Sequence, residues 1–278
     1  MRKIILTLSV AAALAAPAIA GAQSAPAASP HTLTGNLGLV SDYRFRGITQ
    51  TFGLPALQGG FDYSHSSGFY AGNWNSSISE TAGFPNGHLE MDFYTGYKTS
   101  TGALAWDLGY IYYYYPGSNA AGNANYVVIN PSSGTVGSGF VKNQEVYLGA
   151  AWKFLSFKAY RSLSDYFSVP STAGTWYFDL TANYDMGNGW GIVGHGGRVR
   201  TNDAAGVSYN DYKLGVTKDV NGWIWGLAWI GTTAAMDGSC AAATGQFYHF
   251  CKADTAGAAS KDYKGGKDTL VLSLTKSF

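Results

Sequence analysis

Asp42, Arg44 and Arg46 occupy alternate positions, so an extended backbone brings one carboxylate and two guanidiniums onto a single face. Such a face could bind an anionic solute through paired hydrogen bonds, or satisfy nearby carboxylates such as Asp62 and Asp92. Further charges recur in the same alternating manner at Asp62, Glu90, Asp92, Lys98, Asp107, Glu145, Lys158, Asp179, Asp211 and Lys213. Acids and bases spaced along strands suit a polar pathway that tunes solute passage, or a polar core whose charges satisfy one another. Hydrolytic chemistry needs a serine, a histidine and an orienting polar group within reach. His65-Ser66-Ser67 offers the first two, but it falls in a short turn. His88, His195 and His249 have no evident serine partner, and no enzymatic activity is expected. Cys240 and Cys251 flank His249 in a Gly/Ala-rich segment. An exported chain favours a disulfide there, closing a short loop. A metal pair would want ligands beyond His249, so neither a metal nor another cofactor is expected.

These residues sit in segments of about ten residues that alternate apolar and polar positions, separated by Gly, Pro, Asn and Asp. The first segment, residues 32–46, sets Leu33, Leu37, Leu39, Tyr43 and Phe45 against Asn36, Asp42, Arg44 and Arg46. In the third, residues 68–77, Tyr70, Trp74 and the following Ile78 oppose Asn73 and Asn75. The fourth puts Leu89, Met91, Phe93 and Tyr97 opposite Glu90, Asp92 and Lys98. The eighth sets Trp176, Phe178, Leu180, Ala182 and Tyr184 against Tyr177, Asp179, Asn183 and Asp185. Tyr110 to Tyr115 cluster as part of an aromatic girdle would, where hydrocarbon meets head groups. No stretch sustains a helical period.

The count is about twelve segments. Short breaks near Ser66, Thr101, Phe154, Asn188 and Asn221 alternate with longer ones near Gly53, Gly83, Val169, Ala204 and at 116–142 and 236–265. This predicts an all-β fold, a transmembrane antiparallel up-and-down β-barrel with short periplasmic turns and longer extracellular loops. Open sheet edges in lipid would leave backbone groups unsatisfied, so the last strand must pair with the first. An Arg or Lys on the lipid face at midplane would cost about 2–4 kcal/mol, which directs the charges above into the lumen.

Composition agrees. Aromatic residues make up 15% and charged residues only 13% of the 278, against roughly a quarter charged in soluble domains. A mean hydropathy of -0.05 is what alternation of lipid-facing and lumen-facing residues produces. The formal net charge is +1, which gives no basic field for nucleic acid. Arg2 and Lys3 precede the apolar run from Ile4 to Ala16, and small residues at Ala18, Ala20 and Ala22 offer cleavage sites. Residues 1–22 are therefore expected to be a signal peptide, 23–31 a periplasmic tail and 32–278 the barrel.

The chain closes on a strand with Leu270, Leu272, Leu274 and the terminal Phe278 on one face. An apolar face ending in a carboxy-terminal aromatic resembles the assembly signal of bacterial outer-membrane barrels. Lys276 departs from it by standing on the outward face, where it can snorkel to head groups.

Gly38-Leu39-Val40-Ser41-Asp42-Tyr43-Arg44-Phe45-Arg46-Gly47-Ile48-Thr49-Gln50, then Pro55 to Gly60, then Gly68 to Trp74, then Glu90 to Tyr97 resemble the TorF-type porin family of proteobacteria, whose function is largely unassigned. The specific likeness covers about residues 36–110. It implies a barrel of the Gram-negative outer membrane with a transport role, and it names no solute or catalytic residue. The expected function is passive diffusion of a small hydrophilic solute through a mixed-charge lumen. The alternative is a non-conducting structural, ligand-binding or adhesive barrel acting through its long loops. The expected partners are outer-membrane lipid, the barrel assembly machinery and the solute, with homo-oligomer formation left open.

Overall fold

The structure, a computed structural model, describes residues 29–278 apart from 81, 83–86, 120–138, 170, 202–205, 243 and 253–260. The expected leader and most of the 116–142 loop lie outside the described residues. Twelve antiparallel strands form the wall: β1 (His31–Val40), β2 (Ala56–His65), β3 (Phe69–Ser77), β4 (Leu89–Thr101), β5 (Leu104–Tyr114) and β6 (Lys142–Trp152) make one half. The other half is β7 (Leu155–Ser162), β8 (Trp176–Gly187), β9 (Trp190–Arg200), β10 (Tyr209–Val220), β11 (Trp223–Thr232) and β12 (Thr269–Ser277). Each strand pairs with the next in the chain, and β12 pairs back onto β1, closing the barrel.

Side-chain alternation explains the two surfaces. Leu33, Phe61, Leu108, Leu148, Leu180, Leu214, Trp225 and Leu272 stand outward and exposed. An apolar band of that extent has hydrocarbon as its natural solvent. Tight connections gather at one end, at 66–68, 102–103, 153–154, 188–189 and 221–222, and the long ones at the other. Asn188-Gly189 and Asn221-Gly222 have positive φ at both positions, the turn geometry that matches strand twist.

Three parts of the outward set turn the other way. The first strand ends at Val40 rather than continuing to residue 46, and Tyr43 is buried inside. On β3 the facing is reversed: Tyr70, Trp74 and Ile78 are buried in the interior. Asn73 and Asn75 share the outer face, with Asn73 in register with Phe61 and Phe93. Their amide nitrogens bond locally, Asn73 Nδ2 donating to Asp92 O (3.0 Å) and Asn75 Nδ2 to Asn73 Oδ1 (2.6 Å). On β5, Tyr110, Tyr112 and Tyr114 face outward as a girdle would, but Tyr113 and Tyr115 are buried within. The physical reason is common to all three. The barrel interior is filled by large aromatic side chains, which draws tyrosine and tryptophan inward as strongly as lipid draws them outward.

The seam is made at the last residue. Gly35 N donates to Phe278 O (2.7 Å) and Phe278 N to Gly35 O (2.9 Å), and the Phe278 ring covers Gly35. Leu270, Leu272, Leu274 and Lys276 lie on the outward face beside it, with Lys276 Nζ 4.9 Å from the Trp223 ring. Deleting Phe278 should lower the amount of heat-modifiable, folded barrel in membranes several-fold, measured on unheated gels. Unchanged levels would remove the seam role assigned to this residue.

Candidate functional site

Residues 41–55 leave the wall after β1 and fold into the lumen as a plug. Its core is a two-stranded hairpin, Arg44–Phe45 paired with Ile48–Thr49. The tip residues Arg46 (φ 48) and Gly47 (φ 79) both have positive φ. Gly47 is required twice over, because a Cβ there would also collide with the Thr232 side chain on β11. Asp42 staples the base: its carboxylate accepts from Arg44 Nε (2.5 Å), Thr49 Oγ1 (2.6 Å), Thr51 Oγ1 (3.1 Å) and Gly53 N (3.2 Å). Arg44 then ties the plug to the last long connection, donating to Gly265 O (3.1 Å) and Lys267 O (3.0 Å).

Arg46 is the deepest anchor. Its Nη1 and Nη2 donate to the two oxygens of Glu145 on β6 at 3.0 and 2.7 Å, and Nη1 also donates to Tyr166 Oη at 3.0 Å. Four rings surround the guanidinium, with Cζ 4.0 Å from the Tyr177 centroid, 4.8 Å from Phe45, 5.3 Å from Tyr160 and 5.6 Å from Tyr166. Burial pushes the Tyr166 phenol up to about 12, with Arg46 opposing the shift, so it stays protonated at neutral pH. The arginines thus pair with Asp42 and Glu145, not with the neighbouring Asp62 and Asp92 that the sequence offered.

Along the inner wall, from beneath the plug up to its flank at Asp211, charges line one row across the strands. Cross-strand register links Lys98 to Asp107, Asp107 to Gly149, Gly149 to Lys158, Lys158 to Asp179, Asp179 to Gly197 and Gly197 to Asp211. Lys158 Nζ lies 2.8 Å from Asp107 Oδ2, and its stem occupies the space a Cβ at Gly149 would need. Tyr70 donates to Asp107 Oδ1 at 2.6 Å, while Lys98 Nζ sits 4.5 Å over the Tyr70 ring. Because rows run perpendicular to tilted strands, this one climbs from the turn end at Lys98 to the loop end at Asp211.

His195 completes the row, a residue whose facing the glycines around it conceal in the sequence. Its Nε2 lies 2.7 Å from Asp211 Oδ1 and its Nδ1 3.4 Å from Asp179 Oδ1. Lys213 is in register with His195 on the same inner face. Glu90 is fully buried against Tyr43 and Tyr115, and Asp92 is buried on the same face of β4. Asp62 accepts from Tyr94 Oη at 2.5 Å. Parity locates these acids and bases, and Tyr177 with Asp179, but the donors Tyr70 and Tyr94 go unmarked by it, because an aromatic suits either face.

Two other sequence features have local roles. His65 Nδ1 contacts Ser67 Oγ (2.8 Å) within the β2–β3 turn, and among the described residues no carboxylate is hydrogen-bonded to His65. Cys240 and Cys251 form a disulfide. The neighbouring His249 Nε2 contacts Asp262 Oδ1 at 3.0 Å.

The family described as "Bacterial protein of unknown function (Gcw_chp)" matches residues 24–278. No curated protein matches the chain. Similar solved structures include outer-membrane expressed OmpT of Vibrio cholerae, at 7% identity and a TM-score of 0.44 over 89% of this chain and 97% of that one. The TodX deltaS2S3 mutant monoaromatic hydrocarbon channel is similar at 10% identity and a TM-score of 0.45, over 90% of each chain. An anion-selective porin from Comamonas acidovorans is similar at 13% identity and 0.35, over 89% and 99%.

Replacing Gly47 with Ala should push the hairpin off the wall. The expected loss in urea unfolding is about 1–3 kcal/mol, with heat modifiability of the barrel retained. Wild-type stability in that variant would show that the hairpin does not rest on β11.

Proposed function

The chain belongs to the Gcw_chp family of bacterial proteins of unknown function, and from that premise we propose that it is an outer-membrane channel for small hydrophilic solutes, closed in this conformation by residues 41–55. Its short turns face the periplasm and its long loops the exterior, the usual arrangement of such barrels. The TorF-type resemblance of residues 36–110 supports the same reading, as does a leader at residues 1–22. The assembly machinery would act on the β12 face that ends in Phe278.

One observation carries the proposal: the loop-end half of the lumen is filled by a segment that is not part of the barrel wall. Asp62 and Lys98, near the turn ends of their strands, are only partly buried, while Asp107 and Lys158 beside them are covered around their own ion pair. Towards the loop end, Asp42, Arg46, Glu90 and Glu145 are at most 8% exposed. What fills that half is a short hairpin outside the barrel's own ladder, held by side-chain bonds and by backbone bonds from Thr49 N to Gly265 O and from Ser79 N to Gln50 O, none of which belongs to the strand pairing of the wall. A row of mixed charge along the inner wall suits hydrated polar solutes better than apolar ones.

The filled outer half also favours a second reading, a non-conducting barrel that binds through its loops. Conductance separates the two. In planar bilayers the wild type should show rare, discrete steps, and Arg46→Ala should raise the open fraction at least tenfold. Silence from both proteins, with the barrel folded and heat-modifiable, would overturn the channel reading and leave the binding one.

A further inference from the structure

The anchor of the plug has the form of a ligand in a binding site. Glu145 on β6, Tyr160 on β7, Tyr177 on β8 and Tyr166 in the β7–β8 connection all belong to the wall and its loops, and they surround one guanidinium. The carboxylate takes the two Nη groups in a bidentate pair, the geometry by which guanidinium is told from ammonium. Tyr166 Oη accepts a further Nη1 bond. Rings of Tyr177, Tyr160 and Tyr166 stand 4.0 to 5.6 Å from Cζ, the distances at which an aromatic cage attracts a cation.

The tether itself supports this view. Every hydrogen bond that the guanidinium makes to the wall and its loops is from the two terminal nitrogens, while Nε, where the side chain joins the head group, is buried without a hydrogen-bond partner. Arg46 also takes φ 48 at a hairpin tip, a left-handed position that asparagine or glycine fills at lower cost. The residue is held there at the expense of local backbone preference, so its head group is what the position serves.

We propose that Glu145 with Tyr160, Tyr166 and Tyr177 forms a binding site for a guanidinium-bearing solute, and that Arg46 is its tethered occupant in the closed state. A free alkylguanidinium then competes with Arg46 for the same carboxylate and rings, and its binding releases the plug. The site rests on the observed cage alone; only the release of a conducting path rests on the channel reading.

The test uses agmatine as the guanidinium probe and butylamine as an ammonium of similar reach, on the full barrel in detergent. Arg46→Ala should bind agmatine saturably by calorimetry, at least tenfold tighter than the wild type, whose own arginine must be displaced. Butylamine should bind at least tenfold more weakly than agmatine, and Arg46→Ala/Glu145→Gln should not bind either. Refolding yield of Arg46→Ala with and without agmatine gives a second readout should the empty cage fold poorly, with a gain expected from agmatine and none from butylamine. Absence of agmatine binding and of refolding gain, equal binding of the two probes, or equal affinity in the wild type would overturn the proposal. Agmatine binding to Arg46→Ala with no conductance in any protein would uphold the site and overturn the channel reading instead.

Discussion

A guanidinium clasped by one carboxylate and four rings inside a barrel is the interaction on which the filling of the loop-end half depends. Twelve strands enclose more room than the side chains of a small barrel fill, so part of the interior must be occupied by water, a loop or ligand. Here the loop-end half takes a loop. The segment that enters packs four apolar residues inward, Tyr43, Phe45, Ile48 and Phe52, and the Arg46–Glu145 pair fixes where they pack. A buried ion pair contributes little net stability against an apolar alternative, but removing one partner strands the other charge at a cost of about 3–5 kcal/mol. Its value lies in register: only one hairpin position satisfies Glu145.

The tyrosines solve a second problem, how to bury many carboxylates with few cations. Tyr70 donates to Asp107, Tyr94 to Asp62 and Tyr177 to Asp211. A phenol supplies a hydrogen bond without adding charge and fills volume with its ring. That accounts for an interior both aromatic and acidic, and for the inward turn of Tyr113 and Tyr115. It also leaves the half-buried bases Lys98 and Lys213 free of any carboxylate hydrogen bond among the described residues.

The strand count, the alternation of long and short connections, and the closing role of the last strand are legible in the sequence because lipid and backbone pairing impose them on every strand. The facing of β3 is not, since Tyr70 and Trp74 satisfy a lipid surface or an aromatic core equally well. Residues 41–46 mislead for a different reason. Ser-Asp-Tyr-Arg-Phe-Arg continues the alternation of β1 by composition, while the turn residues that break it, Ser41-Asp42 and Gly47, are brief. The partner of Arg46 lies 99 residues away, and no local period reports such a contact. The charge row, by contrast, is half legible: parity puts every member but His195 inside, and only the register of six strand pairs lines them up.

The most direct test of this account is the coupling energy between Arg46 and Glu145, from urea unfolding of wild type, Arg46→Ala, Glu145→Ala and the double variant. If the pair pins the plug, the two substitutions should be strongly non-additive, with a coupling of about 2–3 kcal/mol. Additivity within about 0.5 kcal/mol would mean that the two groups act independently, and that the plug is held by something other than this clasp.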